Sequence, residues 1–287
     1  MSQNDSAVLI TGAAGGIGVA AVTLLAERGH RVFAGVRRPA PALDGLPGVE
    51  QVSFDVTDPD AVAAAAGSVS AAVDDAGLRA VVNNAGLIIQ GPQELLPPAD
   101  LRRQFEVNTF GPVFVTQSFL PLLRRGRGRV VNVSAPTANT PIPFMGPISA
   151  RKAALAALSE ALRTELAAWD IPVVIVEPDG TDTRIFAKAD ADARRALSRT
   201  DPARAALYAP HLEAIAAASA AQRLAPVASA AKAIVEAVEA RNPKRRYLVG
   251  GARTLSVLSR LPAGLRERIV TRAFGLGGIR RGAGAVR

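Results

Sequence analysis

Several groups of residues in this chain combine types and spacings that can do chemistry. The first is Thr11-Gly12-Ala13-Ala14-Gly15-Gly16-Ile17-Gly18, a glycine run that follows a short apolar segment and opens an alanine-rich one. In a strand-to-helix setting Gly12 permits a tight turn, Gly16 lets backbone approach a pyrophosphate, and Gly18 allows close packing of helix and strand. The helix N-terminus then offers N–H groups and a positive dipole end to phosphate. The second group is Arg37 and Arg38, which follow Val36 at the end of the next apolar run. An acid there would bond an adenosine ribose and exclude a 2′-phosphate, whereas a guanidinium grips a phosphate bidentately. NADP(H) is therefore expected ahead of NAD(H), which stays open, as does a reading of both arginines as solvated loop charges. The third group is Asp179 and Asp182 in Pro178-Asp179-Gly180-Thr181-Asp182-Thr183. A desolvated carboxyl with a raised pKa can donate a proton, and an exposed one is simply a turn residue. Tyr208 and His211 could reach over a substrate, or serve as an aromatic staple and a surface histidine.

Positioning these groups requires an α/β frame. Short Val/Ile-rich runs alternate with longer alanine-rich stretches, as βαβ units do. Strands are predicted at Val8–Thr11, Arg31–Val36, Glu50–Phe54, Ala80–Asn83, Arg129–Ser134, Pro172–Glu177 and Arg246–Val249. Helices are predicted at Gly16–Arg28, Asp58–Ala66, Ala99–Leu123, Ser149–Trp169 and Pro226–Ala240. The expected fold is a doubly wound, Rossmann-type parallel sheet of about seven strands with helices on both faces. Its ligand would sit beyond the strand C-termini. Residues 1–250 form the expected domain, with a helical insert at about 187–224 covering the substrate side.

Taken with Asn83-Asn84-Ala85-Gly86 and Val131-Asn132-Val133-Ser134, the glycine run resembles the short-chain dehydrogenase/reductase family over residues 7–250 or so. The resemblance implies hydride transfer to or from NAD(P). It makes Asp55 and Val56 adenine contacts, and gives Asn83, Ala85 and Gly86 to support of the adenosine ribose and the central sheet. Pro178 and Thr183 fall at the nicotinamide loop. Asn108, in Phe105-Glu106-Val107-Asn108, matches the asparagine that organises a relay water. Lys152 matches the lysine that binds the nicotinamide ribose, and only four lysines occur in the chain.

Two positions depart from the pattern. Ile148 stands four residues before Lys152, where the family has tyrosine, and Ala135 stands thirteen before that, where it has serine. Ser134 does not substitute, because adjacent strand side chains point to opposite faces. Ser149 does not either, being turned about 100° along the helix from its neighbour. Asp179 replaces the usual glycine after proline. A general acid typically contributes ~10²–10⁴ in rate and an oxyanion-type donor ~10²–10³, so ordinary ketone reduction should be crippled. Acceptors needing little proton donation, a conjugated C=C or an iminium ion, remain open, and Ala135 with Ile148 suits a hydrophobic substrate. A non-redox cyclase, isomerase or dehydratase is an alternative, and a non-catalytic nucleotide-binding sensor or partner subunit is another.

Composition bounds the rest. The chain has 287 residues, no cysteine and two well-separated histidines, His30 and His211, so neither a disulfide framework nor a metal site is expected. Met1–Ser6 is polar, shows no signal peptide, and makes the cytoplasm the default location. The net charge of +9 is uneven: residues 241–287 hold twelve Lys or Arg against one acid, Glu267, leaving −2 on the first 240. A basic tail on a near-neutral body argues against a nucleic-acid partner. Leu255, Leu258, Leu261, Leu265 and Ile269, with interspersed arginines, form an amphipathic extension over 251–287. Docking on its own domain or a partner subunit is expected ahead of an anionic membrane surface, since Pro262 and Gly264 interrupt the helix. The family resemblance implies a homodimer or homotetramer.

Overall fold

The computed structural model describes residues 6–279. The polar start of the chain and the last eight residues of its basic tail lie outside that range. Seven strands are present: β1 (Ala7–Thr11), β2 (Arg31–Val36), β3 (Val49–Ser53), β4 (Leu78–Asn83), β5 (Arg129–Val133), β6 (Val173–Pro178) and β7 (Arg246–Val249). They form one sheet in the order β3-β2-β1-β4-β5-β6-β7, and every neighbouring pair is parallel. β1, β5 and β6 are buried along their whole length, as parallel strands covered on both faces must be, and they read as nearly unbroken apolar runs. The edge strand β3 instead carries Glu50 and Ser53 into solvent.

Eleven α-helices are described: α1 (Gly16–Glu27), α2 (Pro59–Val73), α3 (Pro98–Phe105), α4 (Gly111–Arg125), α5 (Gly146–Glu165), α6 (Arg184–Leu197), α7 (Pro202–Ala206), α8 (Ala209–Ala221), α9 (Val227–Glu239), α10 (Ala252–Leu258) and α11 (Ala263–Ala273). One sheet face packs with α1 and α9 through Val8, Ile10, Val22, Leu25, Ile234 and Val238. The other packs with α2, α4 and the end of α5 through Leu9, Phe33, Val69, Phe119 and Leu166. Full burial of a side chain such as Phe119 contributes roughly 1.5–3 kcal/mol, so truncating it would loosen α4 from the sheet.

Three helices differ from the sequence expectation for identifiable reasons. α2 runs on to Val73 because Val69 and Val73 continue its buried stripe past Gly67. α5 begins at Gly146, with Pro147 in its first turn, and tightens into a 3₁₀ turn at Leu166–Trp169. The single helix expected over 99–123 is broken by a π turn at Glu106–Phe110, in which Gly111 N–H reaches back to Glu106 O. Pro112 explains it: the ring has no N–H and clashes with the carbonyl four residues back, that of Asn108, so the turn widens there.

The insert is three helices, α6 to α8, and the chain returns from it by pairing Thr181 with Ala225. At the C-terminus, α10 docks as expected, with Ala252 buried and Thr140 Oγ1 donating to Leu255 O at 3.0 Å. α11 docks only in part: Val270 alone is buried, while Leu265 and Ile269 face solvent.

Candidate active site at the strand ends

The strand order reverses between β1 and β4, which opens a crevice at their C-terminal ends. Gly12 takes a φ of +63°, and a methyl on it would lie 2.6 Å from Ala85 Cα. A methyl on Gly18 would lie 2.3 Å from Gly12 O, so the glycine permits contact with the loop's own backbone rather than with a strand. Thr11 Oγ1 accepts from the N–H groups of Asn84 and Ala85, both at 3.1 Å, and Asn84 Nδ2 donates to Thr11 O and Gly12 O. The Asn-Asn-Ala-Gly segment thus braces the glycine loop from the neighbouring strand. Thr11 and Asn84 were not singled out from sequence, although both lie inside the motifs. Ile17 is half-buried at the start of α1, whose first turn has neither an acid nor a side-chain cap. Thr183 lies against Gly16: a methyl there would meet its Cγ2 at 2.8 Å. Pro178 ends β6 beneath it.

Arg37 and Arg38 are exposed at the end of β2. Arg37 Nη1 is 3.9 Å from Asp55 Oδ2. The other Asp55 oxygen accepts from Thr57 N and Oγ1 in a tight local turn. Val56 is buried where a methyl on Gly111 would lie 2.9 Å away, so α4 sits on it directly. Asn83 turns inward: its amide donates to Asn132 Oδ1 at 2.8 Å and Thr116 Oγ1 at 3.1 Å, and Asn132 donates to Ser159. Its side chain therefore ties the sheet to α4 and α5, the second of the two roles expected of it.

Asn108 occupies the π turn. Its amide oxygen accepts from Leu87 N at 3.1 Å, and its nitrogen donates to Leu87 O and Gln104 O, which pins the chain leaving Gly86. Gln104, wholly buried, does the same for Ile89. Lys152 Nζ donates to Val133 O at 2.5 Å, the last residue of β5. Burial pushes its ammonium well below the usual lysine range, Arg151 adds to the shift, and Glu177 opposes it. Ile148 is buried one turn earlier on the same helix, and Ala135 extends from β5 in the β region. Ser134 Oγ is buried on the strand's opposite side without a partner.

Arg151 was not anticipated. It lies three residues after Ile148 and four before Leu155, which puts it on the buried face of α5. Its Nε and Nη1 have no partner, and burial lowers its pKa to about 9.

Two of the candidate replacement acids, Asp179 and Tyr208, are turned toward other parts of the chain. A methyl on Gly251 would lie 2.2 Å from Asp179 Oδ2, so the carboxylate is turned across the end of β7 toward the start of α10. Tyr208 donates to Glu94 Oε2 at 2.6 Å, and Arg204 Nη2 donates to the other oxygen at 3.0 Å. The Glu94 bond raises the Tyr208 pKa and makes the phenol a poorer acid. Its ring packs with Phe144 and His211, at 6.3 and 6.1 Å between centroids.

The model of the short chain dehydrogenase family matches residues 6–194. The chain belongs to that family. It is 33% identical over 258 residues to an Ornithobacterium rhinotracheale protein named NADPH-dependent 3-dehydrocapnine reductase, covering 84% of this chain and 87% of the relative. A Xenorhabdus hominickii protein named 3-amino-tetrahydro-pyrrolizinone reductase is 34% identical over 181 residues, 63% of each chain. The chain spans between half and just under two thirds of the length of several curated relatives it matches. Among solved structures, a short-chain dehydrogenase from Burkholderia cenocepacia in complex with NADP is 27% identical with a TM-score of 0.73, covering 94% of this chain and 99% of that one. By fold this family member is a seven-stranded Rossmann-type sheet.

Proposed function

We propose that this short-chain dehydrogenase is an NADP(H)-dependent oxidoreductase with non-standard proton delivery. Its substrate is hydrophobic and conjugated or cyclic, reduced at C=C or an iminium rather than at a simple ketone. The observation that carries the reading is buried Ile148 one turn before Lys152, with Tyr208 bonded to Glu94 and the Asp179 carboxylate turned toward Gly251.

The residues at the crevice fit a dinucleotide. Gly12, Gly16 and Gly18 leave room where side chains would collide, and the uncapped start of α1 leaves N–H groups for phosphate oxygens. Arg37 and Arg38 favour a 2′-phosphate, in line with the nucleotide named for the Burkholderia structure and the Ornithobacterium relative. Ile17, Asp55, Val56, Ala85 and Gly86 line the adenosine side, with Asn83 supporting them from inside the sheet; Pro178 and Thr183 line the nicotinamide side. The bound nucleotide supplies hydride chemistry. Lys152 keeps two Nζ hydrogens free of Val133 O for ribose hydroxyls, and Asn108 fixes the Gly86–Leu87 backbone beside them.

Ile148 and Ala135 exclude water from the reacting face without donating a proton. An iminium acceptor needs none at that step, and the pyrrolizinone named for the Xenorhabdus relative is in line with a cyclic substrate. The exposed Phe110 and Leu158 on the outer faces beside α4 and α5 suit assembly as a homodimer or homotetramer. Following NADPH consumption tests the reading: enones and cyclic iminium ions should turn over, and simple ketones should lag by at least ~10²-fold. The double change Ile148→Tyr, Ala135→Ser should then raise ketone turnover. Equal rates on ketones and enones by the unchanged chain would overturn it.

A further inference from the structure

The basic end of the molecule presents a face that the catalytic reading does not use. On α11, Leu265, Arg268, Ile269 and Arg272 fall within an arc of about 100° at helical spacing, and all four are exposed. Val270, the buried residue of the helix, lies on the other side, as does Glu267, the one acid of the tail. On α10, Val257 is 63% exposed, with Arg253 one turn before it and Arg260 one turn after. None of Arg253, Arg260, Arg268 and Arg272 meets a carboxylate among the described residues. Elsewhere some surface arginines are paired, Arg28 with Glu239, Arg31 with Glu50 and Arg204 with Glu94. Others, such as Arg38, Arg102 and Arg199, are not paired among the described residues. What sets the tail apart is that its cations flank exposed apolar side chains with a single acid among them. Three further arginines follow at 280, 281 and 287.

We propose that the exposed face of α10 and α11 binds a bilayer surface rich in anionic lipid, lying along it. Charge complementarity selects this occupant. Unpaired guanidinium groups flanking Leu265 and Ile269 match lipid phosphates, to which each can donate bidentately, while the apolar side chains sink into the boundary below the headgroups. A second copy of the chain fits badly: in a two-fold contact the same patch meets itself, which brings Arg268 and Arg272 against their own counterparts with no acid to separate them. The helices lie on the surface rather than cross it. α11 has 11 residues, about 16 Å at helical rise against a hydrocarbon core of about 30 Å. No helix among the described residues is long and apolar enough to span a membrane. Thr140 ties the opposite, docked side of α10 to the loop that leads into Ile148.

The test is flotation of the full-length protein with vesicles of phosphatidylglycerol and phosphatidylcholine, against pure phosphatidylcholine, at low and high salt. Association is expected with the anionic vesicles only, and weaker at high salt. Each surface arginine contributes about fivefold in partitioning, so Arg268→Gln with Arg272→Gln should lower it about 25-fold. Leu265→Ser with Ile269→Ser should also lower it, with the melting temperature and oligomeric mass of both variants unchanged. Two results would overturn the proposal: no association with anionic vesicles, or association that both double variants leave intact. A third would be a fall in oligomeric mass for Leu265→Ser with Ile269→Ser, which would make the face a contact between copies. None of these outcomes depends on turnover or nucleotide binding.

Discussion

At the β1–β4 end of the crevice, backbone and side chains are tightly bonded to one another. Thr11, Asn84, Asn108 and Gln104 lock the glycine loop and the chain from Ala85 to Ile89 into one arrangement. Among the described residues, Asn83 Oδ1 is the only side-chain polar atom buried without a partner at that end. At the β5–α5 end, Ser134 Oγ, Thr137 Oγ1 and the Nε and Nη1 of Arg151 are buried with no partner, as is His211 Nδ1 on the insert. Phe144, between the two, sits at a φ of +64°. Each unsatisfied buried polar group costs roughly 1–3 kcal/mol. The difference separates a half whose polar groups are largely satisfied from a half that holds several buried polar groups unsatisfied. The two positions expected to depart from the family pattern, Ala135 and Ile148, fall in the second half.

The largest test of this contrast is at Gly18. Gly18→Ala forces a methyl to within 2.3 Å of Gly12 O, and the glycine loop must shift as a body because Asn84 and Ala85 hold it. Overpacking against rigid backbone should destabilise by roughly 3 kcal/mol and weaken nucleotide binding more than ~100-fold. Calorimetry with NADPH and thermal unfolding measure both. A substitution at the other end, such as Ile148→Leu, should move neither by comparable amounts; if it does, the rigidity is not confined to the nucleotide half.

Lys152 sharpens the contrast, since it joins the two halves. Its lowered pKa means that the folded state holds fewer protons than the unfolded chain over a window below 10.5. Arg151 has the same sign between about 9 and its usual 12.5. Stability should therefore rise with pH through these windows, and the full burden of the buried Arg151 charge is present at neutral pH. Urea unfolding from pH 7.5 to 9.5 should show that upward slope. Lys152→Met should reduce the slope and raise stability at pH 7.5 by roughly 1–3 kcal/mol, while lowering turnover ~10²-fold or more. A variant that loses stability together with activity would make Lys152 a structural residue.

Legibility in the sequence follows the same division. All seven strands are readable, the central ones because buried parallel strands are nearly unbroken runs of Val, Ile, Leu and Ala, as in Ala7–Thr11 and residues 173–176. The glycines were readable because a positive φ and close backbone contact leave few other residues possible. The π turn was not read, since it depends on Pro112 acting on a carbonyl four residues away within an otherwise helical pattern. The orientations of Asp179 and Tyr208 were not readable either. Tyr208 is fixed by Glu94, 114 residues away, and Asp179 lies against Gly251, and no local spacing encodes such a neighbour. Arg151 carries no sequence signal beyond its place at helical spacing from Ile148 and Leu155.

The smallest effect belongs to Tyr208, and it separates the two accounts of the substrate end. If the phenol is a latch between the insert and the loop at Gln93–Leu95, Tyr208→Phe removes one partly exposed hydrogen bond to Glu94, while Arg204 keeps the other oxygen. The loss should then be at most ~1 kcal/mol, with the Phe144 contact retained and turnover changed by less than about threefold. A phenol acting as the proton donor would instead cost ~10²–10⁴ in rate when removed. Because the Glu94 bond raises the phenol's pKa, Glu94→Gln should make it more acidic. Turnover of a ketone by the Glu94→Gln protein, followed from pH 6 to 9, therefore gives an independent reading. Unaltered rates across that range support the latch, and a gain that Tyr208→Phe abolishes would restore Tyr208 as the acid.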